Sequence, residues 1–255
     1  MPLEHTIIYH ARCPVVIWLP SETAFAFAVE TGLLGRNPIA GVRRPSVEQR
    51  PPTTWDAETA RVFLAATAGD RLAALWALAL TRGLRRGELA GLRWAAVDFA
   101  EGAIRVVHTL VMVDGHPQES TPKTSAGRRT VPLDEQLVAL LRARRTVPLE
   151  ERMRLGLGRD ENGYVFTSEL GDPLSPDWVS DRFEQLTKAA ALPKIRLHDT
   201  RHTAASLMLG AGVQPKVVQE MLGHSHVSIT LATCGHVTPS MGREAGAALS
   251  ASLLG

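Results

Sequence analysis

At 255 residues, 45% of them hydrophobic, the chain is long enough to bury the core of one large domain or of two small ones. Its 28 Lys and Arg stand against 26 Asp and Glu, a net charge of +2, so the overall charge does not by itself point to nucleic acid. Two distant cysteines, Cys13 and Cys234, make no disulfide framework, no apolar run reaches the ~18 residues of a membrane span, and an N-terminus with Pro2 and Glu4 fits a signal peptide poorly; a reduced, cytoplasmic protein without a membrane segment is expected.

Residues 1–19 follow neither the helical nor the strand period. From Ser21, a candidate cap, Phe25, Val29 and Leu33 form an i, i+4, i+8 stripe that predicts a helix over 22–34, closed by Gly35 and Pro38. One amphipathic helix cannot bury its own apolar face, so this one needs a partner surface. Residues 36–52 carry Pro38, Pro45, Pro51 and Pro52 among charges, the composition of an extended linker, which places a domain boundary near residue 50. Thr54 is then expected to cap a helix over 57–66, on which Ala60, Phe63 and Leu64 repeat. Asp70 is expected to cap a nearly all-apolar, buried helix over 73–81. A third helix begins at Arg85, with Leu84, Leu89 and Leu92 toward the core. β-Branched residues mark strands at 97–99 and within 104–113, Asp114-Gly115 is a turn, and a strand at 130–133 stops at its proline. A helix over 135–145, a loosely patterned stretch and a short strand at 164–166 follow. Four helices close the chain, over 178–190, 201–209, 215–222 and 241–253. The fold class is therefore α+β, mainly helical, with a small antiparallel sheet.

Three stretches gather arginine and histidine. The first is Thr81-Arg82-Gly83-Leu84-Arg85-Arg86-Gly87-Glu88-Leu89, and the second is Pro122-Lys123-Thr124-Ser125-Ala126-Gly127-Arg128-Arg129. The third is Leu197-His198-Asp199-Thr200-Arg201-His202 with the later Leu222-Gly223-His224, which a helical hairpin would bring together. Arginine suits planar, paired contacts to phosphate, although any single Arg or His in such a pattern is more often a solvated surface residue. In this order and at these separations the three stretches resemble the catalytic domain of the tyrosine recombinases, the phage-integrase family, from about Thr53 to the C-terminus.

That resemblance implies a recombinase catalytic domain over residues 51–255. Residues 1–50, one helix plus a linker, would be the remnant of a DNA-clamping core-binding domain, with the stretch Glu30 to Pro38 similar to the end of its last helix. It implies site-specific cleavage and rejoining of double-stranded DNA by transesterification at a phosphodiester, with no metal and no cofactor. It also implies a homo-oligomer, a tetramer on DNA, held through the C-terminal helix. By motif position Arg85 and Arg201 would clamp the phosphate, and Lys123, in a turn between strands, would protonate the leaving 5′ oxygen. Glu88 would be the buried acid that orients Arg85. His198 would act as base or hydrogen-bond partner, His224 would donate to the phosphate, and Asp199 would orient its segment rather than react.

The nucleophile position departs from the family. A tyrosine is expected about ten residues after the second histidine, and the matching stretch here is Leu231-Ala232-Thr233-Cys234-Gly235-His236; the only tyrosines are Tyr9 and Tyr164, in stretches that do not match. A thiol falls short of a phenolic oxygen by roughly two to three bond lengths of ~1.5 Å. Impaired or absent activity is thus expected. Thr200 stands where leucine is usual, and Arg82, in place of a small or hydroxyl residue, adds a charge expected to disturb the site. Two other readings remain open: an inactive DNA-binding or assembly module that modulates intact recombinases, and a zinc site built from His224, His226, Cys234 and His236 or from His198 and His202.

Overall fold

The computed structural model describes residues 14–42, 53–121, 127–154 and 163–224, and the chain divides into two compact units, Met1–Pro51 and Pro52–Gly255. In the first unit helix α1 spans Pro14–Glu30, starting earlier and ending earlier than the stripe predicts. Pro14 has its φ preset for a first turn and no N–H to leave unsatisfied, whereas Ser21, the expected cap, lies inside the helix. The run 15–19 hides the helix because near-uniform apolarity has no period. The end is set by Gly32, at φ 74°, where Leu34 N–H returns to the Ala28 carbonyl at 3.0 Å. Residues 37–42 are turns, not extended chain: Ala40 and Val42 donate to the carbonyls of Asn37 and Ile39. No residue from 22 to 42 is buried, and Phe27 and Leu33 are 61% and 76% exposed.

The second unit opens with α2 (Ala57–Ala66), capped by Asp56 rather than Thr54, since the Asp56 carboxylate accepts from Thr59 N–H at 2.8 Å. Helix α3 (Ala73–Arg82) is buried at every position from Ala74 to Leu80. Asp70 stabilises the turn before α3 by accepting from Leu72 N–H, and Leu72 itself occupies the cap position. Helix α4 is short, Arg86–Ala90, and is followed by a 3₁₀ turn, Trp94–Ala96. Strands β1 (Val97–Asp98), β2 (Ala103–Val106) and β5 (Arg129–Pro132) form an antiparallel sheet in the order β1-β2-β5, with Ile104 opposite Val131. Strands β3 (Thr109–Val113) and β4 (His116–Ser120) form a separate hairpin, turned by Asp114 and Gly115, both at positive φ. The apolar run 104–113 therefore splits between two sheets.

Helix α5 runs over Glu135–Arg154, well past residue 145. Residues 164–166 are not a strand: Tyr164 makes one isolated bridge, to Arg93, and Val165 donates to the Leu92 carbonyl. Helices α6 (Pro176–Ala189), α7 (Asp199–Gly210) and α8 (Pro215–Leu222) follow close to expectation, while the expected helix over 241–253 lies outside the described residues. The architecture is α+β, mainly helical, with small antiparallel sheets. Its core holds Phe63, Trp76 and Phe183, each at most 1% exposed and in mutual ring contact at 5.1 to 6.3 Å, with Trp55 completing the group. Burial of each such side chain contributes roughly 1.5–3 kcal/mol. Among the described residues no helix is long and apolar enough to cross a membrane.

Two glycines decide where α4 lies. A Cβ on Gly87 would sit 2.5 Å from both the Leu110 carbonyl oxygen and Thr109 Oγ1, so only glycine lets α4 press its backbone onto β3. Gly83 turns the chain between α3 and α4 at φ 61°, with Leu222 packed where a side chain would stand. These contacts hold Arg85 and Glu88 against the end of α8.

Candidate active site

Arg85 precedes α4 in extended conformation, and the Glu88 carboxylate, one turn on, accepts its backbone N–H at 2.8 Å. The same carboxylate accepts from the Arg85 guanidinium at 2.8 Å and from two nitrogens of Arg129 at 2.8 and 2.9 Å. Glu88 is 4% exposed, and burial alone would raise its pKa. The Arg129 and Arg85 donors and charges outweigh that penalty and hold the carboxyl below its ordinary range. Both arginines also reach the C-terminus of α8: Arg129 Nε donates to the Met221 carbonyl at 2.7 Å, and Arg85 to the Gly223 carbonyl at 3.1 Å. Cations are favourable there, where the last helical carbonyls lack helical partners.

Arg201, on α7 and 3% exposed, donates to the Gly83 carbonyl at 2.9 Å, which ties it to the turn that presents Arg85. Asp199 fixes the start of α7 by accepting from Arg196 N–H at 2.9 Å and from its guanidinium at 2.8 and 3.0 Å. The His198 and His202 rings meet edge to face at 5.3 Å. Desolvation and the neighbouring Arg201 charge hold both pKa values below the ordinary histidine value, with His202 adding to the effect on His198.

His224 follows Gly223, and its backbone carbonyl accepts from the Gln219 side chain at 2.9 Å. Desolvation, then the charges of Arg201 and Arg85, push its pKa down from 6.5 to about 4. The ring is accordingly neutral in the free protein at neutral pH. Because the folded value lies below the unfolded one, the unfolded chain takes up the proton first; His224 therefore costs stability progressively as pH falls from about 6.5 towards 4, and nothing above that window. An NMR titration of the ring nitrogens is expected to find its midpoint near pH 4, and one at or above 6.5 would show that the ring is not desolvated.

Arg85, His198 and Arg201 line one open cleft of about 790 Å³, which Asp177 and Asp181 of α6 also line. The described structure thus brings together Arg85, Glu88, His198, Arg201 and the His224 segment, while Lys123 and Cys234 lie outside the described residues. Arg129 emerged only from the structure: its place in an arginine-rich run is visible, but its pairing with a glutamate 41 positions earlier is not. Arg82 does not add a loose charge to the site, because its guanidinium binds the Pro132 carbonyl at 2.7 Å and Asp134 at 2.6 Å. Thr200 is fully buried and satisfied, its hydroxyl donating to the Leu197 carbonyl at 2.7 Å.

Tyr164 is poorly placed to act as a nucleophile. It is 5% exposed, its hydroxyl donates to Glu119 at 2.9 Å, and Arg93 lies over its ring at 4.4 Å. Burial and Glu119 push its phenol up, further from the phenolate. Among the described residues no group of three His, Cys, Asp or Glu could hold a metal ion; of the set His224, His226, Cys234 and His236, only His224 is described.

Comparison with known proteins adds to this geometry. Residues 57–240 match the model of the phage integrase family. The chain is 34% identical over 237 residues to a XerC-like tyrosine recombinase of Caldanaerobacter subterraneus subsp. tengcongensis, covering 86% of this chain and 60% of that protein. It is 29% identical over 222 residues to the ICEBs1 integrase of Bacillus subtilis, with the same coverage. The chain thus spans about 60% of the length of these relatives. Among solved structures, the Tn1549 transposon integrase in complex with transposon right end DNA matches with a TM-score of 0.73 at 23% identity, over 94% of this chain and 81% of that one. The XerA recombinase matches with a TM-score of 0.60 at 23% identity, over 91% and 75%. At that identity the structural likeness is one of fold.

Proposed function

We propose, from the premise that this chain belongs to the phage integrase family, the tyrosine recombinases, that its second unit is a DNA-strand-transferase scaffold that grips a DNA phosphate in the cleft beside α4 and α7. The observation that carries this reading is the convergence of Arg85 and Arg201 through the Gly83 turn, with Glu88 buried behind Arg85. Within it Arg85 and Arg201 bind the phosphate, His198 and His224 supply hydrogen bonds, and Lys123 serves the leaving oxygen. Residues 51–255 are the catalytic domain, and residues 1–50 belong to a DNA-clamping portion. Cys234 at the nucleophile position leaves the chemistry impaired.

A second reading has a specific observation behind it: the same Cys234 suits a module that binds DNA, or intact recombinases, without cutting. In both readings the partner is double-stranded DNA. The integrase–DNA complexes among the structural neighbours support that choice. We further propose a tetramer on DNA joined through residues 241–253, where Ala245, Ala248, Leu249 and Leu253 form a stripe at helical spacing.

With a net charge of +2, binding by this chain alone is expected to be weak, sequence-tolerant and steeply salt-dependent. Titration of duplex DNA between about 50 and 200 mM salt measures the slope, to which each neutralised phosphate contributes ~0.9. Arg85→Ala and Arg201→Ala are each expected to flatten it by about that amount. Removing residues 240–255 is expected to leave the slope but abolish assembly on DNA. Tight, salt-insensitive binding would sink the phosphate reading, and unchanged assembly would sink the tetramer.

A further inference from the structure

The geometry points to Arg129 as the positioning residue that keeps the charge of Arg85 available to a phosphate. This inference rests on the reading of Arg85 as a phosphate ligand. Glu88 lies within hydrogen-bond distance of both guanidinium groups. Were Arg85 its only partner, one buried carboxylate would cancel one arginine, and the site would present a neutral pair to an incoming anion. With Arg129 paired to both Glu88 oxygens, the three groups sum to +1, and the surplus cation is the one that can be reached. Exposure decides which that is: the Arg85 side chain is 40% exposed and the Arg129 side chain 6%.

Arg129, unlike Arg85 and Arg201, does not line the cleft, and all three of its guanidinium nitrogens are engaged within the protein. It acts through Glu88, and through the Met221 carbonyl, where its Nε holds the last turn of α8 two residues before the Gly223 carbonyl that Arg85 also grips. Among the described residues two of the five Arg85 side-chain N–H groups are engaged, which leaves donors for a phosphate oxygen.

The test is the salt slope of duplex DNA binding by the full chain, with thermal melting as the control for folding. Arg85→Ala sets the scale, a slope lower by ~0.9. Arg129→Met is expected to flatten the slope by the same amount, because Glu88 then cancels Arg85. Adding Glu88→Gln to Arg129→Met is expected to restore the slope, since removal of both buried charges leaves Arg85 uncancelled. Arg129→Lys, which keeps the charge and is the safer variant for folding, is expected to retain the parent slope. A merely structural role would move melting in these variants and leave the slope alone. Arg129→Met with the parent slope, or the double variant with no recovery, overturns the inference while Arg85→Ala still reports on the site. If Arg85→Ala itself leaves the slope unchanged, the phosphate reading fails and the inference with it.

Discussion

Cys234→Tyr is expected to turn a chain that forms no covalent adduct with DNA into one that does. The change adds an aromatic spacer, so that a phenolic oxygen replaces a sulfur whose reach from the backbone is shorter by roughly two to three bond lengths of ~1.5 Å. That matters because a misplacement of about 1 Å can cost ~100-fold in rate. It also replaces a soft nucleophile with a hard one suited to phosphorus. The other groups proposed for the step, Arg85, Lys123, His198, Arg201 and His224, are all present in the sequence. In the balanced step the phenol gives its proton to His198 as its oxygen bonds to phosphorus, the bond to the 5′ oxygen breaks, and that oxygen takes a proton from Lys123.

A duplex nicked beside the scissile phosphate, whose cleaved piece diffuses away, traps the adduct for detection by its shifted mobility in a denaturing gel. On the Cys234→Tyr background, Arg201→Ala is expected to lower adduct formation by ~100-fold or more, the loss typical of one donor to a developing oxyanion. An adduct formed by the parent chain and lost in Cys234→Ser would show that the thiol is competent. No adduct from Cys234→Tyr, with DNA demonstrably bound, would mean that the scaffold lacks more than its nucleophile.

The second large effect concerns stability. Glu88→Ala is expected to destabilise the second unit by about 3–5 kcal/mol, the cost of leaving a buried ion without its partner. The stranded group is Arg129, whose side chain is 6% exposed and has two nitrogens on the Glu88 carboxylate. Helix α4 also loses the acceptor for its cap, the Arg85 backbone N–H. Urea unfolding followed by far-UV circular dichroism measures the loss; with a slope of ~1–3 kcal/mol per molar, the midpoint should fall by about 1 M or more. Glu88→Gln, which keeps an acceptor, should cost less. A change below ~1 kcal/mol in Glu88→Ala would mean that water reaches Arg129 and that the carboxylate is not holding it.

Much of this molecule is legible in local pattern. Helices α2, α3, α6, α7 and α8 fall within one or two residues of expectation, because each carries an apolar stripe or run bounded by Pro, Gly or a capping side chain. The family can be read because its motifs are short, with Arg85 and Glu88 one turn apart and His198 and Arg201 three residues apart. Those relations are fixed by helical geometry, which the chain carries locally.

What local pattern does not carry is competition between distant partners. Residues 164–166 have strand composition, yet Tyr164 makes a single isolated bridge, to Arg93, after which the chain turns into the 3₁₀ segment Trp94–Ala96. Helix α5 continues past residue 145, through Pro148, against the local expectation for proline in a helix. Arg82 reads as an intrusive charge, and only the proximity of Asp134, 52 positions on, neutralises it. Arg129 reads as one arginine in a basic run, and becomes the countercharge of Glu88 only when β5, α4 and the end of α8 close around it. Family and candidate residues follow from short-range spacing, which the linear chain carries whole. Which charges cancel and which stay available follows from packing, because a charge pair depends on distance in space and on burial, and neither is encoded at one position.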